Sequence, residues 1–233
     1  MNHLDPYGYM IPEIFNDGEV IPPPVIRDGS TVAWFLSDEP TTLTLDGANR
    51  VSRWNDYLGS GHDLIQGVGA DQPLWSANGV LFDGATEYMK CGVFAYVQPE
   101  MIYMVVKQVT WTDGDYIFDG NVTNNGMLRQ ETLTPNLTVY SGAFLANADL
   151  AVDTWGIVRV LFNGALSEFI INDLIPTTGN TGAVDMGGFT LSAQATGNIQ
   201  ANIEVKEIIL RNVADTAPNE AAIYAYLAAK YGI

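Results

Sequence analysis

The sequence predicts an all-β protein, a two-sheet antiparallel sandwich with one short C-terminal helix. Three observations support this prediction. Short runs of β-branched and aromatic residues recur from residue 31 onward, Gly, Asn, Asp and Pro separate them, and a helical repeat of apolar residues occurs only at the chain end. Since all-β sandwiches of roughly 200–250 residues are common, 233 residues suit one such domain. We therefore divide the chain into an N-terminal arm, 1–28, and a sandwich, 29–233.

The N-terminal arm is rich in proline and in apolar side chains. Pro22, Pro23 and Pro24 favour extended polyproline geometry and donate no backbone hydrogen bond, so this segment is not expected to be an interior strand. Because its apolar residues are too many for a solvated linker, we expect either the sandwich itself or a second subunit to cover them. The residues predicted to dock are Tyr7, Tyr9, Met10, Ile11, Ile14 and Phe15.

Seven runs give the clearest strands. The run 203–210 alternates apolar with charged residues, and its charged residues Glu204 and Glu207 are predicted to face solvent. Since no long helix separates the runs, the sheets are expected to be antiparallel. Asn163-Gly164 is a turn dipeptide that joins two strong runs as a hairpin. The runs are 32–36, 101–106, 116–118, 137–140, 155–162, 169–171 and 203–210.

The end of the chain shows the helical pattern. Thr216 and Pro218 are start signals, and Gly232 suits the C-terminal cap. The pattern predicts a helix over about 218–231 that lies on the sandwich. Its apolar face consists of Ile223, Tyr226, Leu227 and Tyr231.

The charge of the chain limits its partners. Asp and Glu number 27 against 10 Lys and Arg, which gives a net charge of −17. A polyanion repels phosphate backbones and anionic lipid, so we predict neither a nucleic-acid nor a membrane partner. The N-terminus lacks the basic start and apolar run of a secretory signal. We expect a protein made and assembled in a cytoplasm, with a secreted or cell-surface location as the alternative.

An ordered series of motifs within residues 31–233 resembles a known family. The series includes VSRWND at 51–56, GSGHDLIQ at 59–66, FDG at 82–84, DTW at 153–155 and YLAAKYGI at 226–233. In this order it resembles laminin-G-like domains of the concanavalin A-like lectin and glucanase superfamily, of the type found in bacteriophage and bacterial surface proteins. The resemblance implies a jelly roll of two stacked sheets, a concave face that often meets glycans or proteins, and sometimes a calcium ion at a rim. It does not imply one function.

The sequence lacks the catalytic motif of the laminarinase-like enzymes that share this fold. Those enzymes carry three carboxylates in a Glu-x-Asp-x-x-Glu run, since an acid and a nucleophile must flank one glycosidic bond. No such run occurs, and His3 and His62 are too few to support a catalytic triad. We therefore predict that the chain is not an enzyme and carries no catalytic residues. A glycoside hydrolase with carboxylates from distant strands is the least favoured alternative.

Two tryptophans beside turns are candidates for a glycan platform. Trp75 and Trp111 could expose their rings there, with Asp113 and Asp115 as polar partners of the second one. The alternative is that both rings pack at the rim of the sandwich.

Calcium is the cofactor that the sequence allows. Asp56, Asp63 and Asp83 occur in a loop-rich region and offer the oxygen ligands that a hard cation prefers. Asp side chains also stabilise turns by accepting nearby backbone N–H groups, and this is the alternative. The region contains no calcium-loop consensus.

These observations lead to a hypothesis about function. The missing signal, the apolar arm and the resemblance predict a bacteriophage virion protein, a capsid decoration or tail subunit without enzymatic activity. Its arm would dock on other virion proteins, and its sandwich would be displayed for attachment to a surface or to host glycans. The hypothesis is compatible with an oligomer. The alternative is a carbohydrate-binding module of an adhesin.

Overall fold

A computed structural model describes residues 15–16 and 19–233. In these residues, two antiparallel sheets pack face to face, and one α-helix follows at the C-terminus. The predicted fold class, an all-β two-sheet sandwich with a C-terminal helix, is confirmed. Within the described residues, no helix is both long and apolar enough to cross a membrane.

The strands are short and follow the predicted runs closely. In chain order they are β1 (Phe15–Asn16), β2 (Glu19–Val20), β3 (Thr31–Leu36), β4 (Leu43–Leu45), β5 (Val51–Trp54), β6 (Leu64–Ile65), β7 (Leu74–Ser76), β8 (Gly79–Asp83), β9 (Met89–Lys90), β10 (Glu100–Gln108), β11 (Tyr116–Asp119), β12 (Met127–Gln130), β13 (Asn136–Tyr140), β14 (Phe144–Asp149), β15 (Trp155–Phe162), β16 (Ser167–Ile171), β17 (Thr177–Gly179), β18 (Thr190–Leu191) and β19 (Asn202–Arg211). The helix α1 spans Ala217–Tyr231.

The two sheets differ in what covers them. One, the helix-side sheet, has the order β17-β16-β15-β10-β19-β8-β7, and β3 also pairs with β19. The other, the open sheet, has the order β14-β13-β12-β11-β18-β9-β6-β5-β4. β15 and β16 pair as a hairpin through the Asn163-Gly164 turn, as the sequence predicts.

The main core fills the space between the sheets. Phe35 and Trp54 approach edge to face with ring centroids 5.9 Å apart, a geometry that aromatic pairs prefer. Phe118, Phe162 and Phe169 are fully buried in the same cluster. These inward-facing residues alternate with outward-facing ones along each strand, which is the two-residue period expected of a strand with one face in the core.

Helix α1 covers the outer face of the helix-side sheet. Ile223 and Leu227 are fully buried in a second apolar cluster with Trp34 and Ile209 of the sheet. The helix ends at Gly232, which has a φ of 69° in the left-handed region that suits this residue. The helix therefore lies where the sequence predicts it, within one residue at its start.

The prediction that Glu204 and Glu207 face solvent is wrong. Glu207 is 0% exposed and Glu204 is 7% exposed. Both lie on the outer face of β19, and α1 and neighbouring side chains cover this face. An alternating strand pattern identifies two faces, but it does not tell whether a third layer covers the polar one.

The described part of the N-terminal arm packs on the sandwich. β1 pairs with β2, and a 3-10 turn follows at Pro24–Arg27. Ile26 is fully buried in the second apolar cluster, which includes Ile223 and Leu227 of α1, and Val20 and Val25 pack against this cluster. Of the predicted docking residues, Tyr7, Tyr9, Met10, Ile11 and Ile14 lie outside the described residues, and only the backbone of Phe15 lies within them.

Candidate functional site

The two candidate tryptophans are half-buried rim residues. Trp75 lies on β7 and packs against the main core, and its Nε1 donates to the carbonyl of Ser37 at 2.8 Å. Trp111 follows β10, and its Nε1 donates to the carbonyl of Asn136 at 3.1 Å. Because both indole N–H groups hold the fold together, these rings fit the packing alternative better than an open platform.

Trp111 shares one loop with its two predicted partners. Asp113 is exposed, and its Oδ1 accepts the backbone N–H of Thr132 at 2.7 Å. Asp115 is partly buried, and burial raises the pKa of its carboxyl group. Gln130 anchors the loop by accepting the N–H of residue 112 at 2.8 Å. The structure thus brings Trp111, Asp113 and Asp115 together, whereas Trp75 belongs to edge strand β7 and is not part of this loop.

Asp56 and Asp63 face one loop, but the fold already uses their oxygens. Asp56 Oδ1 accepts the N–H of Trp34 at 2.7 Å, and Oδ2 accepts the N–H of Ser60 at 2.7 Å. Asp63 Oδ1 accepts the N–H of Asp56 at 2.9 Å, and Oδ2 contacts the guanidinium of Arg53 at 2.6 Å. Both carboxylates therefore stabilise the loop directly.

Asp83 also serves a turn. Its Oδ1 accepts the N–H groups of Ala85 at 2.8 Å and Thr86 at 3.1 Å, and such bonds lower the pKa of the carboxyl group against the opposing effect of burial. In the part of the chain that the structure describes, no group of three or more His, Cys, Asp or Glu side chains is placed to hold a metal ion.

We expect millimolar calcium chloride to leave the melting temperature of the protein unchanged within about 1 °C. A ligand raises stability only when it binds the native state, and backbone N–H groups or Arg53 already contact each of the candidate carboxylates. Thermal unfolding monitored by circular dichroism measures the melting temperature, with magnesium chloride at equal concentration as the control. A rise that occurs with calcium alone would contradict the assignment of these residues to turns.

A pocket of about 500 Å³ opens on the helix side of the sandwich. The 3-10 turn at Pro24–Arg27, β3, the loop after β5 and helix α1 surround it. We call it the helix-side pocket. Its aromatic residues are Trp34, Tyr57 and Tyr226, and its charged residues are Arg27, Asp38, Glu39 and Lys230.

One wall of the pocket is aromatic. Trp34 and Tyr57 approach edge to face with ring centroids 5.0 Å apart. The guanidinium of Arg27 lies 5.3 Å from the centre of the first ring and 5.4 Å from the second, within the range of cation–π attraction. Trp34 is almost fully buried, while Tyr57 is 40% exposed. Tyr57 is therefore the ring that a bound molecule would contact.

A buried carboxylate lies behind this wall. Glu207 Oε1 accepts the Nε1–H of Trp34 at 2.7 Å, and Oε2 accepts the hydroxyl of Tyr231 at 2.8 Å. Lys230 Nζ lies 2.9 Å from Oε2, and Tyr226 donates to the same oxygen at 3.4 Å. Burial raises the pKa of Glu207, and these donors oppose the shift. Burial and Glu207 also raise the pKa values of Tyr226 and Tyr231, which keeps their hydroxyl groups protonated as donors.

Lys230 links the buried carboxylate to the pocket opening. Its Nζ lies 3.1 Å from Oδ2 of Asp38, whose side chain is exposed, and donates to the hydroxyl of Tyr226 at 3.2 Å. The opening thus combines an apolar ring face with exposed carboxylate acceptors. This arrangement can hold a small molecule that has one apolar face and several hydroxyl groups.

No pattern in the sequence predicts this pocket. Its residues come from four segments that are far apart in the chain, and each segment carries an unremarkable pattern. Tyr226 and Lys230 are four residues apart on one helix face, and this spacing is the signal that could have directed attention to α1. Nothing in the sequence places Arg27 or Tyr57 beside that face.

The fold defines a class, the two-sheet β-sandwich, and comparisons with known proteins give its relatives in structure. No family model and no curated protein matches the sequence. Among solved structures, a Trypanosoma rangeli sialidase in complex with sialic acid matches with a TM-score of 0.64 and 13% identity, over 96% of this chain and 35% of that one. Thus the chain spans about a third of the length of the sialidase.

A domain of an arabinanase and an arabinofuranosidase also match. The first is domain 4 of AbnA, a GH43 extracellular arabinanase from Geobacillus stearothermophilus, in complex with arabinotriose. The match has a TM-score of 0.55 and 12% identity and covers 83% of this chain and 97% of that domain. The second is a GH54 α-L-arabinofuranosidase, with a TM-score of 0.58 and 11% identity, over 78% of this chain and 51% of that one. At such low identity these matches show the fold alone.

The comparisons correct two predictions from the sequence. The prediction of a non-enzymatic bacteriophage virion protein is wrong, because the matching structures are glycoside hydrolases or domains of them. The prediction that the chain is not an enzyme is contradicted by the same matches, which are to glycoside hydrolases or their domains. The comparisons support the coarser part of the predicted resemblance, namely a β-sandwich similar to those in the matching structures.

Proposed function

We propose that this chain is a carbohydrate-binding β-sandwich of a carbohydrate-active enzyme, and that the helix-side pocket is its glycan site. The observation that carries the proposal is the match to domain 4 of AbnA, which covers 97% of that domain and whose structure holds arabinotriose. We also infer that the sandwich belongs to the concanavalin A-like, laminin-G-like family. The ordered motifs in residues 31–233 support this assignment.

The chemistry of the pocket fits a sugar. A sugar ring presents an apolar face of C–H groups that can pack on Tyr57, and burial of this face is favourable. Its hydroxyl groups can donate to the carboxylates of Asp38 and Glu39, which lie at the opening. A pocket of about 500 Å³ is within the usual range for small-molecule sites and accommodates one or two sugar units.

Replacement of Tyr57 by Ala is expected to weaken binding of arabinotriose or another oligosaccharide by about tenfold or more, since exposed aromatic anchors dominate such contacts. A glycan array identifies a ligand, and isothermal titration then compares the variants. Phe144→Ala is the matched control, because Phe144 is a 57% exposed aromatic side chain on the open sheet, outside the pocket. Binding that Tyr57→Ala leaves unchanged would refute the pocket as the site, and an array without any ligand would refute the function.

Hydrolysis in the same pocket is a second candidate function. Asp38 and Glu39 supply two carboxylates at the opening, and most glycoside hydrolases use a pair of them. Glu207 does not qualify, since it is fully buried and its oxygens are occupied. Release of reducing sugar from the array ligand, and its loss in Asp38→Asn and Glu39→Gln, would favour hydrolysis; no release would leave binding as the function.

A further inference from the structure

The cation inside the helix-side pocket has no donor left for a ligand. An ammonium group has three N–H donors. Those of Lys230 are directed to Asp38, to Glu207 and to the hydroxyl of Tyr226, at 3.1, 2.9 and 3.2 Å. Its positive charge is therefore matched by two carboxylates before any ligand enters.

The acceptors at the opening, in contrast, are accessible. The side chain of Asp38 is 46% exposed, and Glu39 lies beside it on the pocket wall. Glu39 Oε1 accepts the hydroxyl of Thr41 at 2.7 Å, which leaves its second oxygen for other donors. An entering molecule thus meets carboxylate oxygens that can accept hydrogen bonds from hydroxyl or ammonium groups.

Arg27 is the other cation of the pocket. Its guanidinium lies over the faces of Trp34 and Tyr57 at the rim, where the aromatic rings position it. An acidic sugar packed on Tyr57 would meet this one guanidinium together with Asp38 and Glu39. Since Lys230 is already paired with Glu207, the remaining charges at the opening are one guanidinium against the two carboxylates of Asp38 and Glu39, so an acidic sugar meets an excess of negative charge.

We propose that the helix-side pocket selects sugars that carry no acidic group, and that it rejects uronic acids and sialic acid. The proposal rests on the proposed function, because it assigns a ligand class to the same pocket. Its ligands would be uncharged sugars and amino sugars, whose hydroxyl and ammonium groups donate to Asp38 and Glu39. The pocket would then differ in specificity from the site of the matching sialidase structure, which holds sialic acid.

Titration of the full chain with four probes of similar size tests this proposal. The probes are arabinotriose, a glucosamine trimer, a galacturonic acid trimer and 3′-sialyllactose, all at an ionic strength of about 0.15 M, where the screening length is about 8 Å. We expect at least one of the first two probes to bind about tenfold more tightly than either acidic probe. An acidic probe that binds as tightly as both of the others, and loses its binding in Arg27→Met, would overturn the proposal.

Asp38→Asn sharpens the test. This change removes one negative charge at the opening and leaves Lys230 paired with one carboxylate, that of Glu207, so the affinity for the galacturonic acid trimer should rise relative to that for the neutral trimer. Asp173→Asn is the matched control, because Asp173 is an exposed carboxylate on the turn after β16 and changes the net charge equally. An equal effect of both variants would refute local selection. If no probe binds in a manner sensitive to Tyr57→Ala, the proposed function fails as well.

Discussion

Replacement of Arg211 by Met is expected to lower the free energy of unfolding by about 3–5 kcal/mol. Arg211 is fully buried, and it pairs with Asp215, whose side chain is 1% exposed. The two groups meet in a bidentate arrangement, at 2.7 Å from Nε and 2.9 Å from a terminal nitrogen. Without the guanidinium, the carboxylate of Asp215 would stay buried, with the hydroxyl of Tyr103 as its one side-chain donor among the residues that the structure describes.

Arg211 also holds the N-terminal segment on the sandwich. One terminal nitrogen donates to the carbonyl of Val25 at 2.6 Å and to the hydroxyl of Thr31 at 2.8 Å, and the other reaches Asp28 at 3.1 Å. All five N–H donors of the guanidinium are therefore used. Loss of these bonds should also loosen the turn at Pro24–Arg27, which forms one side of the helix-side pocket.

Urea unfolding of three variants measures the effect. Arg211→Lys keeps the charge but lacks the planar fork, so its loss of stability should be smaller than that of Arg211→Met. Arg53→Met breaks a pair of the same type at the surface, where the Arg side chain is 46% exposed, and should cost about 1 kcal/mol or less. Equal costs at both positions would show that the buried network contributes no more than an exposed pair.

The fold was readable from the sequence because its strands follow local rules. β15 occupies Trp155–Phe162, the same residues as its predicted run, and β19 extends its run by one residue at each end. These strands are rich in β-branched and aromatic residues and are bounded by turn residues. Helix α1 was readable for a similar reason, since its start signals, apolar face and C-terminal glycine agree.

The buried charges were not readable, because their partners are distant in the chain. Glu207 receives hydrogen bonds from Trp34 on β3 and from Tyr231 at the end of α1. The strand pattern places Glu207 on the face opposite to that of the inward-facing Ile208. Whether a further layer covers that face depends on the tertiary structure. The helix-side pocket could not be predicted for the same reason, since its residues are distant from one another in the chain.

The functional prediction failed because one motif tests only one class of enzyme. The missing Glu-x-Asp-x-x-Glu run argues against laminarinase-like chemistry, and it says nothing about sandwiches that serve other glycoside hydrolases. The glycan platform at Trp75 and Trp111 stays a prediction, and the structure shows a packing role for both rings. Trp75 and Trp111 use their indole N–H groups to fix loops, whereas Tyr57 is the accessible ring of the pocket and lies on a loop where the sequence singles out only carboxylates.

A second large effect is expected from pH. Glu100 begins β10 and is fully buried in the sandwich; Oε1 accepts the N–H of Met186 at 2.7 Å, and Oε2 has no hydrogen-bond partner among residues 15–16 and 19–233. Burial raises the pKa of Glu100 to about 8, the backbone N–H of Met186 opposes this shift, and Asp185 adds to it. At neutral pH the folded protein therefore holds a proton on Glu100 that the unfolded chain has released.

This difference fixes the sign of the pH dependence. Because the native state binds more protons than the unfolded state, the stability that Glu100 contributes is complete below the ordinary carboxyl pKa of about 4.3 and is lost as the pH rises toward 8. The slope from this one group is at most about 1.4 kcal/mol per pH unit, so the loss between pH 5 and 8 amounts to several kcal/mol.

Glu100→Gln isolates this contribution, since a carboxamide has the shape of the protonated acid and carries no titratable proton. Urea unfolding of both proteins between pH 4.5 and 8 should give similar stabilities at the acidic end, with the variant increasingly more stable toward the basic end. Carboxyl groups distant from Glu100 titrate equally in both proteins, so they cancel in the difference. A difference that stays constant with pH would show that Glu100 is ionised in the folded protein, and that the unpartnered oxygen has found a donor.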